Sequence, residues 1–324
     1  MPKLLITGVT GLIGRAVLDA ILAKNNDWHI TALIRPGTKP QRYNAFSTQL
    51  ELAKIDLADI NGLKNFLADN SFDAVMHIGA LRGGRKFNKN EFLRANFLST
   101  QQLAEFSLEY GAKFMFCSSV GVFGAIPEEL PANNRTERNP DNFYHYTKIE
   151  SEKMIQRATL RGLKSAILRP SITYGSGDYG FPYQMVKMIH KKQFPLINKR
   201  IWIHLCNVNT IAQAFLWLLE NDFTPGTALN VADREPVQLH QLVNFISREL
   251  RGGNYNTLLK LDRQFFRWGE SLARWAKNEL WVSRFELISR SWFYQVSDTY
   301  ELMNLPESYT IPDIRLTISD YLGK

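Results

Sequence analysis

Cysteine is scarce in this sequence: two residues in 324, Cys117 and Cys206. Two cysteines cannot frame a disulfide scaffold, and neither sits in metal-ligand spacing, so no metal centre is predicted. Both lie in apolar, strand-like runs and are expected to be buried structural thiols. No stretch reaches the roughly 18 uninterrupted apolar residues of a membrane-spanning helix, so no integral membrane segment is predicted. The opening residues MPKLLITG lack the long apolar core and small-residue cleavage site of a secretory leader, which predicts a cytoplasmic protein. Repeats and low-complexity tracts are absent. Zinc-finger spacing and aromatic RNA-binding strand motifs are also missing, so nucleic acid is not an expected partner. The net charge of +8 still favours an anionic ligand, and a phosphorylated cofactor is enough to account for part of it.

What is present is a regular alternation in the first half. Strand patterns at Lys3–Thr7, Trp28–Ile34, Leu50–Ile55, Asp73–Ile78, Lys113–Ser118 and Leu163–Leu168 are interleaved with helical patterns at Leu12–Lys24, Ile60–Ala68, Asn90–Tyr110 and His145–Arg161. Such alternation predicts an α/β fold of Rossmann type, with a doubly wound parallel sheet and a smaller C-terminal substrate-binding lobe. The expected boundaries are 1–170 for the dinucleotide-binding domain, with 205–232 returning to it, and 171–204 plus 233–324 for the lobe. After Pro170 the rhythm breaks into helical patterns at Phe181–Lys191, Thr210–Glu220 and Leu239–Leu250, with a short strand at Ala228–Val231. A segment rich in tryptophan, phenylalanine and arginine follows over 265–293. Within it Phe265–Trp268 and Leu272–Trp275 predict an amphipathic helix, whose first reading is a cap helix packed on its own domain; a hydrophobic substrate mouth or a membrane-surface patch is the second.

The first strand runs directly into Thr7-Gly8-Val9-Thr10-Gly11-Leu12-Ile13-Gly14, which opens a helix. In such a turn Gly8 permits the tight bend, Gly11 lets the backbone approach a pyrophosphate, and Gly14 lets the helix pack near the strand. The helix start adds unpaired N–H groups and a positive dipole end. At the end of the second strand stands Arg35, where an enzyme selective for NAD offers an acid to the ribose 2′-hydroxyl. A guanidinium suits a 2′-phosphate instead, with Lys39 nearby, so NADP(H) is the preferred cofactor and NAD(H) the alternative. Asp56, after the third strand, is placed to accept from an adenine amino group or to serve as a turn residue.

Tyr144 and Lys148 lie four residues apart on a predicted helix and so share a face. An ammonium near a phenol favours the phenolate, which predicts a lowered pKa for Tyr144 and a proton exchange with a substrate oxygen. The fifth strand ends in Ser118-Ser119, and a hydroxyl at that edge can bind the same oxygen.

Together these residues resemble the extended short-chain dehydrogenase/reductase family, also called the NAD-dependent epimerase/dehydratase family. The resemblance spans almost the whole chain. It rests on residues 7–14, Asp56-Leu57, His77-Ile78-Gly79-Ala80, Asn96 with Thr100, Ser118-Ser119 through Phe123-Gly124, Tyr144 with Lys148, Leu168-Arg169-Pro170 and Tyr174-Gly175. It implies Ser119, Tyr144 and Lys148 as the catalytic set. It implies cofactor contacts at Thr7, Gly8, Thr10, Gly11, Leu12, Ile13, Gly14, Arg35, Asp56, Leu57, Ile78, Gly79, Ala80, Asn96, Tyr144, Lys148 and Pro170. A homodimer through the Asn90–Tyr110 and His145–Arg161 helices is the family expectation. Three positions depart from the pattern: Gly79 for alanine, Phe123 for tyrosine, and Asn207 for aspartate. The last puts a structural contact of the cap lobe in question.

The tail is similar to the 3β-hydroxysteroid dehydrogenase and dihydroflavonol reductase side of the family. With Arg35 it predicts hydride transfer between NADP(H) and a carbonyl or hydroxyl of a small hydrophobic substrate. A nucleotide-sugar epimerase or dehydratase with tightly bound NAD is the alternative, kept open by Arg200. Val120 and Gly121 offer no acid pair for a dehydratase. A non-catalytic dinucleotide-sensing protein is the third reading, disfavoured by the intact Ser119, Tyr144 and Lys148.

Overall fold

A computed structural model of the chain describes residues 1–24, 27–82, 88–256 and 279–323, with 260, 261, 268, 269, 271 and 275 in between. The cap helix expected from Phe265 to Trp275 lies largely outside the described residues. Two compact units are present. The first comprises 1–122, 140–169 and 211–229; the second comprises 123–139, 170–210 and 230–324.

The first unit is organised by a seven-stranded sheet. Its strands are β1 (Lys3–Thr7), β2 (His29–Ile34), β3 (Glu51–Lys54), β4 (Ala74–His77), β5 (Lys113–Cys117), β6 (Ser165–Pro170) and β7 (Thr227–Val231). Their order is β7-β6-β5-β4-β1-β2-β3. Strands β1 to β6 pair in parallel, with Thr7 level with His77 and Leu33 across the central strands. Near-continuous burial along β1, β2, β4, β5 and β6 is what a sheet covered on both faces demands. The order reverses between β1 and β4, which places the crevice beyond the carboxyl ends of those two strands.

Helices α1 (Leu12–Ala23), α2 (Ile60–Ala68), α3 (Lys89–Phe92), α4 (Ser99–Tyr110) and α5 (Phe143–Thr159) accompany the sheet. Their ends follow local chemistry. The Asp59 side chain caps α2 and the Asn142 side chain caps α5. Gly111 ends α4 in the left-handed region at φ 71°. On one sheet face Leu5, Val75, Phe114 and Phe116 join Leu63 and Leu103 in a buried cluster. Phe114 and Phe116 reach it together because alternate residues of a strand share a face.

One expected element is divided. The helix predicted over Asn90–Tyr110 consists of α3, a π-helical stretch over Leu93–Leu98, and α4. The wider turn leaves the Asn96 carbonyl to accept from the hydroxyls of Thr100 (2.5 Å) and Ser151 (3.3 Å).

The second unit is built from short pieces. Thr173–Tyr174 pairs with Cys206–Asn207, Trp202–Ile203 with Val237–Gln238, and Leu196–Ile197 with Lys260–Leu261. Its polar centre is Asp233, which accepts from Tyr174 Oη (2.8 Å), from the Asn207 N–H (2.8 Å) and from the Thr310 hydroxyl. Burial lifts the Asp233 carboxyl to about 6, against those hydrogen bonds. Asn207, the departure flagged from sequence, keeps a local role: its Oδ1 accepts the Asn209 N–H at 3.0 Å. Trp292, from the aromatic-rich segment, is fully buried in this unit and donates Nε1–H to the Leu287 carbonyl.

The tightest backbone approach is at the glycine turn. A methyl group on Gly14 would lie 2.2 Å from the Gly8 carbonyl oxygen. Gly14→Ala is therefore expected to destabilise the protein by about 1–3 kcal/mol, as overpacking does. Urea unfolding of the two forms measures it.

Candidate active site

Every candidate residue but one lies in the first unit, and the strands' carboxyl ends set their positions. The exception is Pro170, which ends β6.

The turn after β1 is held from within. Gly8 sits at φ +83°, and the Gly11 N–H donates to the Gly8 carbonyl at 2.8 Å. Gly11 caps α1 without a side chain, so no side-chain acceptor competes for the N–H groups of Leu12 and Ile13. Arg42 donates to the Thr10 carbonyl at 2.7 Å and ties the following loop to the turn. Thr7 points its hydroxyl away from this turn. It accepts from the N–H groups of Ile78 (3.1 Å) and Gly79 (2.9 Å), which carry the chain from β4 toward Ala80.

His77 completes that arrangement and has no role assigned from sequence. Its Nδ1 lies 2.9 Å from Thr7 Oγ1 and its Nε2 lies 3.0 Å from Thr100 Oγ1. Since Thr7 already accepts twice, it donates to Nδ1; the imidazole then donates from Nε2 to Thr100, which donates to the Asn96 carbonyl. Burial, and then the charge of Lys148, lower the His77 pKa to about 3, so the ring is neutral. The Asn96 side chain extends the network. It accepts the Leu81 N–H (2.8 Å), donates to the Leu81 carbonyl (3.0 Å) and reaches Thr147 (3.2 Å) on α5.

Arg35 follows β2 and is exposed, and no hydrogen bond or ion pair among the described residues engages its guanidinium. Asp56 precedes Leu57 in a turn, where its Oδ1 accepts the Ala58 N–H at 2.9 Å. A glycine cradle at a helix start fits the pyrophosphate of a dinucleotide.

The two serines after β5 have different tasks. Ser118 is buried and donates to Glu152 Oε1 at 2.5 Å. Glu152 in turn holds Arg169 through two bonds of 2.8 and 2.7 Å, both side chains being almost wholly buried. Ser119 is half-buried, and its Oγ accepts the Gly121 N–H at 3.0 Å, which leaves its own proton to give. Of the two hydroxyls, Ser119 is the one available to a substrate oxygen. The spacing Tyr144-x-x-x-Lys148-x-x-x-Glu152, three successive turns of one face, was the signal that could have found the third member.

Tyr144 and Lys148 stand in the first two turns of α5. Lys148 is buried, donates from Nζ to the Cys117 carbonyl at 2.6 Å, and lies 4.4 Å from the Phe116 ring centre and 5.9 Å from that of Tyr144. Burial lowers its pKa to about 8, opposed by the nearby Cys117 and Glu152. Spacing alone predicted a lowered pKa for Tyr144, and the structure has the opposite direction. Burial raises it, Cys117 adds to the rise, and the opposing cation is Arg82 rather than Lys148.

The buried Glu152–Arg169 pair makes a sharp prediction. Glu152→Gln or Arg169→Met leaves one member without its partner and is expected to cost about 3–5 kcal/mol in urea unfolding. Replacing both by apolar residues of similar size is expected to cost much less.

Residues 4–232 match the model of the NAD dependent epimerase/dehydratase family. Among curated proteins, a 4-hydroxy-2-methyl-3-oxo-4-farnesyl-3,4-dihydroquinoline-1-oxide ketoreductase of Stigmatella aurantiaca is 24% identical over 245 residues, 74% of this chain and 71% of its own length. A UDP-glucose 4-epimerase of Azospirillum brasilense is 31% identical over 172 residues, 52% of this chain and about half (48%) of the relative. Among solved structures, the Bordetella bronchiseptica enzyme WbmH in complex with NAD+ superimposes with a TM-score of 0.78 at 14% identity, covering 100% of this chain and 99% of that one. The match over most of the chain places this protein in the NAD dependent epimerase/dehydratase family, as an enzyme of the extended short-chain dehydrogenase/reductase type.

Proposed function

We propose that the protein is an NADP(H)-dependent reductase or dehydrogenase acting on a carbonyl or hydroxyl group of a small, hydrophobic substrate. The observation that carries this reading is Arg35. It stands at the end of β2 with its guanidinium unengaged among the described residues, where NAD-selective relatives of this fold carry an acid. The ketoreductase, which aligns with three-quarters of the chain, supports the reaction class.

In this reading Gly8, Gly11 and Gly14, with the N–H groups of Thr10, Leu12 and Ile13, hold the pyrophosphate. Arg35 takes the 2′-phosphate. Asp56 and Leu57 flank the adenine. Ile78, Gly79, Ala80, Asn96 and Pro170 line the remainder of the cofactor site, and Lys148 takes the ribose. When bound, the cofactor supplies or accepts the hydride. Ser119 orients the substrate oxygen and Tyr144 gives or takes its proton, with Lys148 one turn along the same helix face. The raised resting pKa of Tyr144 keeps it protonated as the acid for a reduction.

A second reading, a nucleotide-sugar epimerase, keeps one observation in its favour: Arg200 is exposed in the second unit and is open to a diphosphate. Both cysteines are buried thiols outside any disulfide, which suits a reducing compartment, and we place the enzyme in the cytoplasm. Among the described residues no helix is long and apolar enough to cross a membrane. A homodimer through α4 and α5 is consistent with exposed Tyr110 and Leu160 at their ends.

Nicotinamide fluorescence tests the cofactor assignment. The wild type is expected to prefer NADPH and exchange it readily, and Arg35→Asp to weaken NADPH by about ten- to a hundredfold while sparing NADH. Tight, slowly released NAD(H) would instead select the epimerase reading. Tyr144→Phe is expected to lower kcat by about 10²–10⁴ in steady-state reduction assays without loss of NADPH binding. Lys148 discharges as pH rises through about 8, so NADPH affinity is expected to fall above that pH. Lys148→Arg, which keeps its charge, is expected to lack that step in the same titration.

A further inference from the structure

Beside Ser119 the structure places a second pair of polar groups. His145 is the third residue of α5, next to Tyr144, and their ring centres are 5.5 Å apart. Its Nδ1 meets the Asp141 carboxylate; the Asn142 Nδ2, itself a donor, lies 2.9 Å from the same nitrogen and donates to Asp141 Oδ1 at 3.1 Å. The Asn142 Oδ1 accepts the His145 N–H, which fixes the backbone below the ring. Against the carboxylate, Nδ1 is the donor. Nε2 is then the acceptor of the ring.

That nitrogen lies over Gly121. A methyl group on Gly121 would come within 2.0 Å of Nε2, so the imidazole fills the side-chain space of position 121. Gly121 is also the residue whose N–H holds Ser119 Oγ. No described residue hydrogen-bonds to Nε2, and 16% of the side chain remains exposed. The turn that bears the candidate hydroxyl thus has an acceptor nitrogen packed against it, anchored from behind by a carboxylate.

We propose that His145, held by Asp141, is a specificity-determining residue that accepts a hydrogen bond from a second oxygen of the substrate, a hydroxyl on the carbon next to the reacting one. The substrate class is then an α-hydroxy ketone, or the diol it yields. This rests on the reductase reading above. A histidine anchored through Nδ1–H to an acid accepts from O–H at Nε2, so a hydroxyl is favoured over a second carbonyl.

The test compares NADPH-dependent reduction of 2-hydroxycyclohexanone and cyclohexanone by wild type, His145→Gln, Asp141→Asn and Gly121→Ala. The wild type is expected to favour the hydroxy ketone in kcat/KM, and His145→Gln to cut that ratio about tenfold, the worth of one hydrogen bond. Gly121→Ala, which displaces the ring, is expected to lower the ratio as well, and Asp141→Asn to lower it less. A purely structural role would slow both ketones alike and leave the ratio unchanged. Asp141→Asn and Gly121→Ala carry the comparison if His145→Gln does not fold. An unchanged ratio, or none in the wild type, overturns the assignment of His145 and leaves the reductase standing. Failure to reduce either ketone, with NADPH bound, overturns the reductase reading and this one with it.

Discussion

The bond from Lys148 Nζ to the Cys117 carbonyl fixes helix α5 against the carboxyl end of β5, and the candidate chemistry depends on that register. An ammonium is costly to bury, so its place must be supplied with partners. Here the carbonyl takes one proton, the Phe116 ring offers its face at 4.4 Å, and Glu152 adds negative charge one turn along. The remaining cost appears as a pKa lowered to about 8, and the charge is held in the low-dielectric setting where it acts most strongly.

The same helix is pinned twice more, and each pin has a different chemistry. Toward its middle, Glu152 joins Ser118 and Arg169, so the ends of β5 and β6 are bound to one carboxylate. Toward its start, Thr147 meets Asn96, whose amide braces the segment after β4. From Asn96 the network runs through Thr100 and His77 to Thr7 at the glycine turn. A buried polar network of this kind is stabilising only when every member is satisfied. The donor order worked out for His77 satisfies both ring nitrogens without a charge. The glycine turn and the Tyr144/Lys148 helix, 137 residues apart in the sequence from Thr7 to Tyr144, are thereby parts of one hydrogen-bonded frame.

Much of that frame was legible because periodicity and glycine chemistry report it directly. Lys3–Thr7 and Ile60–Ala68 were read with the bounds the structure has, since both are short amphipathic or buried runs closed by strong turn residues. Asn90–Tyr110 was read as one helix because a π-helical turn alters hydrogen bonding without altering the apolar pattern. The short helices at Ser297–Met303 and Arg315–Leu322 left no trace, being too brief for a periodic signal and stabilised by packing. Among the site residues, Tyr144 and Lys148 declare themselves by spacing. The pKa of Tyr144 did not, because its direction is decided by burial, and burial is a property of the fold rather than of a four-residue interval.

The same reasoning explains why two adjacent serines part company. Both follow the last residue of β5 and precede the 3₁₀ turn Val120–Phe123, and each takes a different partner. Ser118 is turned inward to a carboxylate that must be satisfied, because Arg169 alone does not use all of its acceptor capacity. Ser119 is turned toward the loop that follows, where a backbone N–H occupies one lone pair and orients the rest. A swap of roles would leave Glu152 short of a donor in the interior and place a committed hydroxyl at the edge. The ion pair thus selects which serine is available, and the identity of the candidate hydroxyl follows from an electrostatic requirement on the next helix.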